Sequence, residues 1–316
     1  MRRFHLVPDN INLSFISRRM TFFVFSALLV VFSIGIFSSK GLNYGIDFKG
    51  GILIEVKTTN GPADIGAMRS NLSELGLGDI GLQEFGAPDE VMIRIQFQEG
   101  DESAQAEAVE RVKAALGDNI EYRRTEFVGP KISDELFLDG VYAVAVAIFA
   151  ILVYVWFRFE WQFGLGAVIA LLHDVISTIG IFALLGLEFN LSTVAAILTI
   201  AGYSINDTVV VYDRVRENLR RYKSKSLGEL LNDSINETLS RTVMTSVTTL
   251  LALGALYLLG GEVISGFSFA MIWGVIIGTY SSICLAVPLL LYLNVARRGG
   301  IAGGDDNKEA AADKAP

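Results

Sequence analysis

Six stretches of this chain are long and apolar enough to cross a lipid bilayer, and no other feature restricts its fold so strongly. A spanning helix needs about 20 mostly apolar residues, because backbone polar groups inside hydrocarbon must bond within their own segment. Residues 20–38, 137–157, 164–186, 191–212, 242–260 and 267–294 meet that requirement. With 52% hydrophobic and only 19% charged residues among 316, the composition excludes an ordinary soluble globule. The order is one apolar stretch, a long polar segment, then five more stretches.

Lysines and arginines in short loops orient such a chain. Arg2, Arg3, Arg18, Arg19 and Arg158, the run Arg214, Arg216, Arg220, Arg221, Lys223 and Lys225, and finally Arg297 and Arg298 all fall on one side. The short loops on the other side, Gly186 to Asn190 and Gly260 to Gly266, hold no Lys or Arg. Both termini are therefore expected in the cytoplasm: an N-terminal segment 1–19, a loop 213–241 and a tail 299–316, the tail read as disordered from its Gly, Ala and charge. Residues 39–136 are expected outside. The first apolar stretch lacks a small-residue cleavage pattern, so it reads as a retained signal anchor.

The outer segment alternates in type. Gly51 to Thr58 reads as a strand, Pro62 to Leu75 as a helix, Ile80 to Gly86 and Val91 to Gln98 as a strand pair, Asp101 to Leu116 as a helix and Ile120 to Val128 as a closing strand. That βαββαβ order predicts a ferredoxin-like α+β domain between the first and second spans. Residues 40–135 carry 10 Lys and Arg against 18 Asp and Glu, the whole of the chain's net charge of -8. The remaining basic residues sit at helix ends, a distribution that excludes a nucleic-acid partner. Cys284, the single cysteine, lies in an apolar run and reads as a packing residue.

An ionisable side chain inside a span costs about 2.5 to 3.5 kcal/mol on insertion scales and calls for a reason. His173 and Asp174 lie midway along the third span, Asp207 in the inner part of the fourth and Arg241 at the start of the fifth. Asp207 is roughly 24 Å of helical rise from Leu191. Tyr203 and Ser204, four and three residues earlier, share its face. Thr242, Thr245, Ser246, Thr248 and Thr249 give the fifth span a hydroxyl surface. An Asp207–Arg241 pair is the expected neutralisation, read either as a proton-exchanging site or as a static pair that glues helices. Asp174 is a second candidate for relay or pairing, and His173 reads as packing. Ser226 to Ser240, with Leu227, Leu230, Leu231, Ile235 and Leu239, reads as an amphipathic helix at the membrane surface. No phosphate loop, zinc-protease or nucleophile-elbow motif is present, so neither an enzyme nor a cofactor is expected.

Gly45-Ile46-Asp47-Phe48-Lys49-Gly50-Gly51 resembles the signature shared by the SecD/SecF family of bacterial protein export, part of the resistance-nodulation-division superfamily. Physically, its glycines make a tight turn that launches the first outer strand. Gly202 to Arg214, which includes Ser204, Asn206 and Asp207, looks like the family's fourth-helix motif. Leu239-Ser240-Arg241-Thr242 with Thr245 and Ser246 looks like its fifth-helix motif, and Leu172-His173-Asp174 is similar to its third-helix motif. The likeness runs from about Ile11 to Ala296; Tyr212 stands where the family pattern more often has phenylalanine. The resemblance implies a SecD partner with an equivalent six-helix bundle, work beside the SecYEG channel and YajC on an unfolded preprotein, and proton movement through Asp207 and Arg241. A small-molecule exporter of the same superfamily and a structural scaffold of the translocon are the competing readings.

Overall fold

The computed structural model describes residues 12–100, 102–260, 262–293 and 295. Residues 1–11 and the tail 299–316, expected to be cytoplasmic, lie outside the described residues. Among the described residues, six helices have the length and apolarity of membrane spans. Helix α1 covers Arg19–Lys40. The outer segment then begins with a short strand β1 (Asn43–Tyr44) and a single helical turn α2 (Ile46–Lys49). There follow β2 (Gly51–Thr58), α3 (Ile65–Ser73), β3 (Ile80–Phe85), β4 (Ala87–Ile95), α4 (Glu102–Leu116) and β5 (Ile120–Val128).

The four long strands form one antiparallel sheet in the order β3-β4-β2-β5, with β2 between its sequence-distant partners β4 and β5. This is the ferredoxin-like arrangement. Alternation along the strands sorts the side chains. Ile52, Ile54, Val56, Val91, Ile93 and Ile95 bury against Met68 and Leu72 of α3 and Val109 and Val112 of α4. Leu53 and Met92 point to the opposite face and cluster with Ile46 of α2.

The remaining spans are α5 (Pro130–Arg158), α6 (Trp161–Leu185), α7 (Leu191–Arg221), α8 (Leu227–Leu259) and α9 (Glu262–Ser281). Between α6 and α7 lies a strand β6 (Glu188–Phe189). Helix α9 runs on through a π-helical segment, Ser282–Ala286, into a last turn α10 (Val287–Leu289). Local chemistry sets the ends. Pro130 opens α5, where its missing N–H costs nothing. Capping boxes from Asn190 with Thr193 and from Ser226 with Glu229 start α7 and α8, and Gly186, at a φ of 65°, ends α6.

Three features differ from the sequence expectation. The outer domain ends at Val128, and α5 starts seven residues before the apolar stretch expected for that span at residues 137–157. The expected 213–241 loop is shortened to residues 222–226, because α7 continues to Arg221 and α8 begins at Leu227. For the same reason Ser226 to Ser240 is not a separate helix on the membrane surface. A buried stripe of Leu230, Leu231, Ser234, Ile235, Thr238, Leu239, Thr242 and Ser246 crosses the expected boundary without a break. The apolar side that suggested lipid contact packs instead on Ile16 and Val215. The Asn232 carboxamide oxygen also accepts the Phe15 amide at 2.9 Å.

Candidate functional site

The polar interior is built where α6, α7, α8 and the π segment after α9 meet. Two glycines on α9 let α7 come close: a Cβ at Gly274 would stand 2.2 Å from the Ile200 side chain, and one at Gly278 would stand 3.0 Å from Ser204 Cβ. Close approach through small residues is the usual way for helices to pack tightly in a membrane. It brings Ser204 of α7 and Ser281 of α9 onto the same carboxylate.

That carboxylate is Asp174 on α6, fully buried at 0% exposure. Its Oδ2 accepts hydrogen bonds from the Ser204 hydroxyl at 2.5 Å and the Ser281 hydroxyl at 2.8 Å. Its Oδ1 lies 2.9 Å from His173 Nδ1. His173 is thus more than a packing residue. Adjacent helical side chains normally diverge by about 100°, but these two turn toward each other. Next to this cradle, Thr208 and Ser282 share a hydrogen bond of 2.8 Å, and Ser282 also donates to the Gly278 carbonyl at 2.8 Å.

Asp207, one helical turn further along α7, is differently served. Its Oδ1 accepts the Thr242 hydroxyl of α8 at 2.8 Å, while its Oδ2 is buried with no partner among the described residues. The expected Asp207–Arg241 ion pair is not formed, since Arg241 is exposed and no carboxylate among the described residues lies within ion-pair distance of it. The reason is rotational: on α8 the buried stripe passes through Thr242, and its neighbour Arg241 points about 100° away. Tyr203 reaches the Ser246 hydroxyl at 3.4 Å, and Ser246 bonds Thr279 at 2.7 Å. Asn206 is exposed. Thr245 spends its hydroxyl on the carbonyls of Arg241 and Thr242, so neither residue joins the site.

Ser281 and Ser282 were missed by the sequence reading. The signal was present as Thr279-Tyr280-Ser281-Ser282, a hydroxyl run inside the sixth apolar stretch, followed by Pro288. A proline ring displaces the carbonyl four residues before it, here Cys284, and the π turn at Ser282–Ala286 absorbs that widening.

The glycine motif after α1 does more than start a strand. Gly45 precedes the turn α2, and Gly50 (φ 69°) and Gly51 (φ 124°) both take conformations that side chains disfavour. A Cβ at Gly51 would lie 2.5 Å from the Ile95 carbonyl. Strand β1 pairs in parallel with β6, Asn43 with Glu188 and Tyr44 with Phe189. The Asp47 carboxylate accepts the Leu191 amide at 2.9 Å, at the exposed amino end of α7. The motif therefore ties the outer domain to the loop that leads into the Asp207 helix.

Six spans, a ferredoxin-like domain between the first two and carboxylates buried between helices define a multi-pass membrane protein of the transport type. Residues 108–296 match the family described as protein export membrane protein SecD/SecF, C-terminal, and residues 35–61 match the SecD/SecF GG motif. The chain is 48% identical over 306 residues to protein translocase subunit SecF of Cereibacter sphaeroides, covering 94% of each. It is 48% identical over 292 residues to that of Rickettsia felis, covering 90% of this chain and 93% of the relative. Its fold is similar to the crystal structure of SecDF, a translocon-associated membrane protein from Thermus thermophilus. The TM-score is 0.81 at 38% identity, over 91% of this chain and 39% of that longer chain. A SecDF structure in a super-membrane-facing form matches at 0.66 with the same 38% identity, over 90% of this chain and 39% of that one. The chain belongs to the SecD/SecF family, as a SecF-type subunit of the Sec translocase.

Proposed function

We propose that this subunit couples proton entry to protein export: paired with SecD, it draws on the proton motive force to promote late, ATP-independent stages of preprotein translocation through SecYEG, with YajC as a further associate. Both ends of the chain then lie in the cytoplasm of the bacterial inner membrane and the ferredoxin-like domain in the periplasm, in keeping with the distribution of Lys and Arg.

The observation that carries the reading is the half-partnered carboxylate of Asp207, with one oxygen held by Thr242 and the other buried and empty-handed. A buried carboxylate oxygen without a donor favours a bound proton, or a cation brought to it. Arg241 precedes Thr242, the residue that touches Asp207. A rotation of its long side chain, or of α8, would exchange one neutralisation for the other. Asp174 has three partners and needs nothing further, so the proton exchange is assigned to Asp207 and the alignment of α6, α7 and α9 to Asp174. Hydroxyls both donate and accept, so Ser246 and Thr279, which share a hydrogen bond of 2.7 Å, can hand a proton between them.

Export into inverted vesicles containing SecYEG, SecA and SecD separates this reading from a scaffold role. Asp207→Asn at matched expression is expected to lose the gradient-stimulated component while ATP-dependent initiation persists. Wild-type stimulation in Asp207→Asn would leave the subunit a scaffold, and loss in Asp174→Asn alone would move the exchange to Asp174.

A further inference from the structure

We propose that the helix ends at Arg158 and Arg216–Arg221 form a binding site for the phosphate headgroup of an anionic phospholipid. An open cavity of about 710 Å³ is lined there by Arg158, Asp213, Arg216, Glu217, Arg220 and Arg221. Four guanidiniums thus face two carboxylates, and both carboxylates are already engaged. Asp213 takes Arg158 at 2.7 and 2.8 Å, and Glu217 takes Arg214 at 2.6 Å. Arg216, Arg220 and Arg221 have no carboxylate among the described residues. The partial negative charge at the end of α7 offsets only a fraction of this excess.

The site is held in shape before any ligand arrives. Phe159 is 5% exposed and wedged against Phe163 and Tyr212, with ring centroids 5.9 and 6.0 Å away. Arg158 and Arg216 both stack on that fixed ring, at 4.9 and 5.3 Å from its centroid, and Arg216 donates to the Arg158 carbonyl at 3.3 Å. Guanidiniums locked in this way keep donor edges free for phosphate oxygens and lose little side-chain entropy on binding.

A lipid is favoured over a free anion by what surrounds the arginines. Trp156, Phe157 and Trp161 flank Arg158 in sequence and are 72%, 90% and 59% exposed. Large aromatic side chains at the end of a span sit at headgroup level, where they cover the first part of the acyl chains. The chemistry does not depend on which leaflet this face meets. The orientation proposed above would make the ligand an inner-leaflet lipid.

The test is lipid retention by the purified full chain, released from phosphatidylcholine nanodiscs doped with phosphatidylglycerol and read by native mass spectrometry. Wild type and an outer-domain control, Arg111→Gln/Lys113→Gln, are expected to retain phosphatidylglycerol preferentially. Arg216→Gln/Arg220→Gln is expected to lose that preference by about tenfold or more. Should the double variant not fold, Arg220→Gln, which removes an exposed side chain with no carboxylate partner among the described residues, is expected to lose part of it. An unchanged preference in these variants would overturn the proposal. So would displacement of the lipid by inorganic phosphate at equal concentration, which would mark a free-anion site.

Discussion

Tyr212 satisfies a carbonyl that a phenylalanine would leave bare. Its side chain is 0% exposed, and its hydroxyl donates at 3.1 Å to the carbonyl of Ala286, at the end of the π segment. The amides that would otherwise serve that carbonyl are bonded elsewhere, Leu290 to Val287 and Leu291 to Pro288. Room for the hydroxyl comes from Gly166 on α6, where a Cβ would stand 2.4 Å from it. Gly166→Ala is therefore expected to cost about 1–3 kcal/mol by overpacking, measured as a drop in thermal stability in detergent. Tyr212→Phe is expected to cost only about 0.6 kcal/mol, and to shrink the Gly166→Ala penalty when the two are combined. Simple additivity would mean that the hydroxyl is not what the new methyl strikes. The sequence shows Tyr212 only as a departure from the family pattern. It could not show the hydrogen bond, whose partner lies 74 residues away.

Among whole elements, the contact of α1 with α6 rests on one glycine. A Cβ at Gly180 would stand 2.2 Å from the Ser33 hydroxyl and 2.7 Å from Ser33 Cα. Because backbone as well as side chain is struck, Gly180→Ala is expected to displace α1 and to destabilise by about 1–3 kcal/mol, and Ser33→Ala is expected not to rescue it. Full rescue in a thermal melt of the double variant would show that the side chain alone was in the way. The existence of these helices was legible from sequence because twenty apolar residues in a row have few other fates in a membrane protein. The unity of α8 was not legible. Its first half looks amphipathic and its second half apolar, and only the buried stripe from Leu230 to Ser246 shows that both face the interior of the bundle.

At the scale of the whole molecule, the ferredoxin-like domain is joined to the bundle through an aromatic cluster, Tyr44 and Phe48 against Phe137 and Phe189, and a set of hydrogen bonds. Gly45 donates to the Phe189 carbonyl at 3.0 Å, Asp47 receives Leu191, and Arg94 of β4 bonds the Asn43 side chain at 2.9 Å and the Tyr44 carbonyl at 3.2 Å. Beside this joint a cavity of about 370 Å³ opens between the sheet and the loops of the bundle, with Asp47, Glu55, Arg124 and Glu188 in its wall. Burial raises the Glu188 carboxyl above its ordinary value; Arg94 and Arg124 oppose the rise, and the nearby charges of Asp47 and Glu55 reinforce it. A carboxyl with a raised value in the docked state binds its proton more tightly there than when undocked. Its contribution is thus full below the ordinary glutamate value and is lost as pH climbs through the raised one. Amide exchange at β1 and β6, corrected for intrinsic rates, is expected to be better protected near about pH 5 than at neutrality, and Glu188→Gln is expected to remove the difference. Protection that grows with pH would contradict this sign. Under the proposed orientation the acidic side of the membrane is the side on which the joint tightens.

The number of spans, the place of the outer domain and the order of its strands were determined by the sequence alone. Each is a sum or a period over a short window, apolar length for the helices and alternation for the strands, and distant contacts do not change it. The tertiary structure decided who meets whom inside. Thr242 rather than Arg241 holds Asp207, and Ser281, 107 residues away, helps to hold Asp174. Asp47 bonds the amide of Leu191, 144 residues away, at the start of α7. These pairings depend on the rotational phase and crossing of packed helices, which glycines such as Gly278 set by how closely they let backbones approach. A phase difference of one residue, about 100°, separates a buried partner from an exposed arginine. No local pattern in the fifth span reveals which of the two neighbours faces inward, because both are polar.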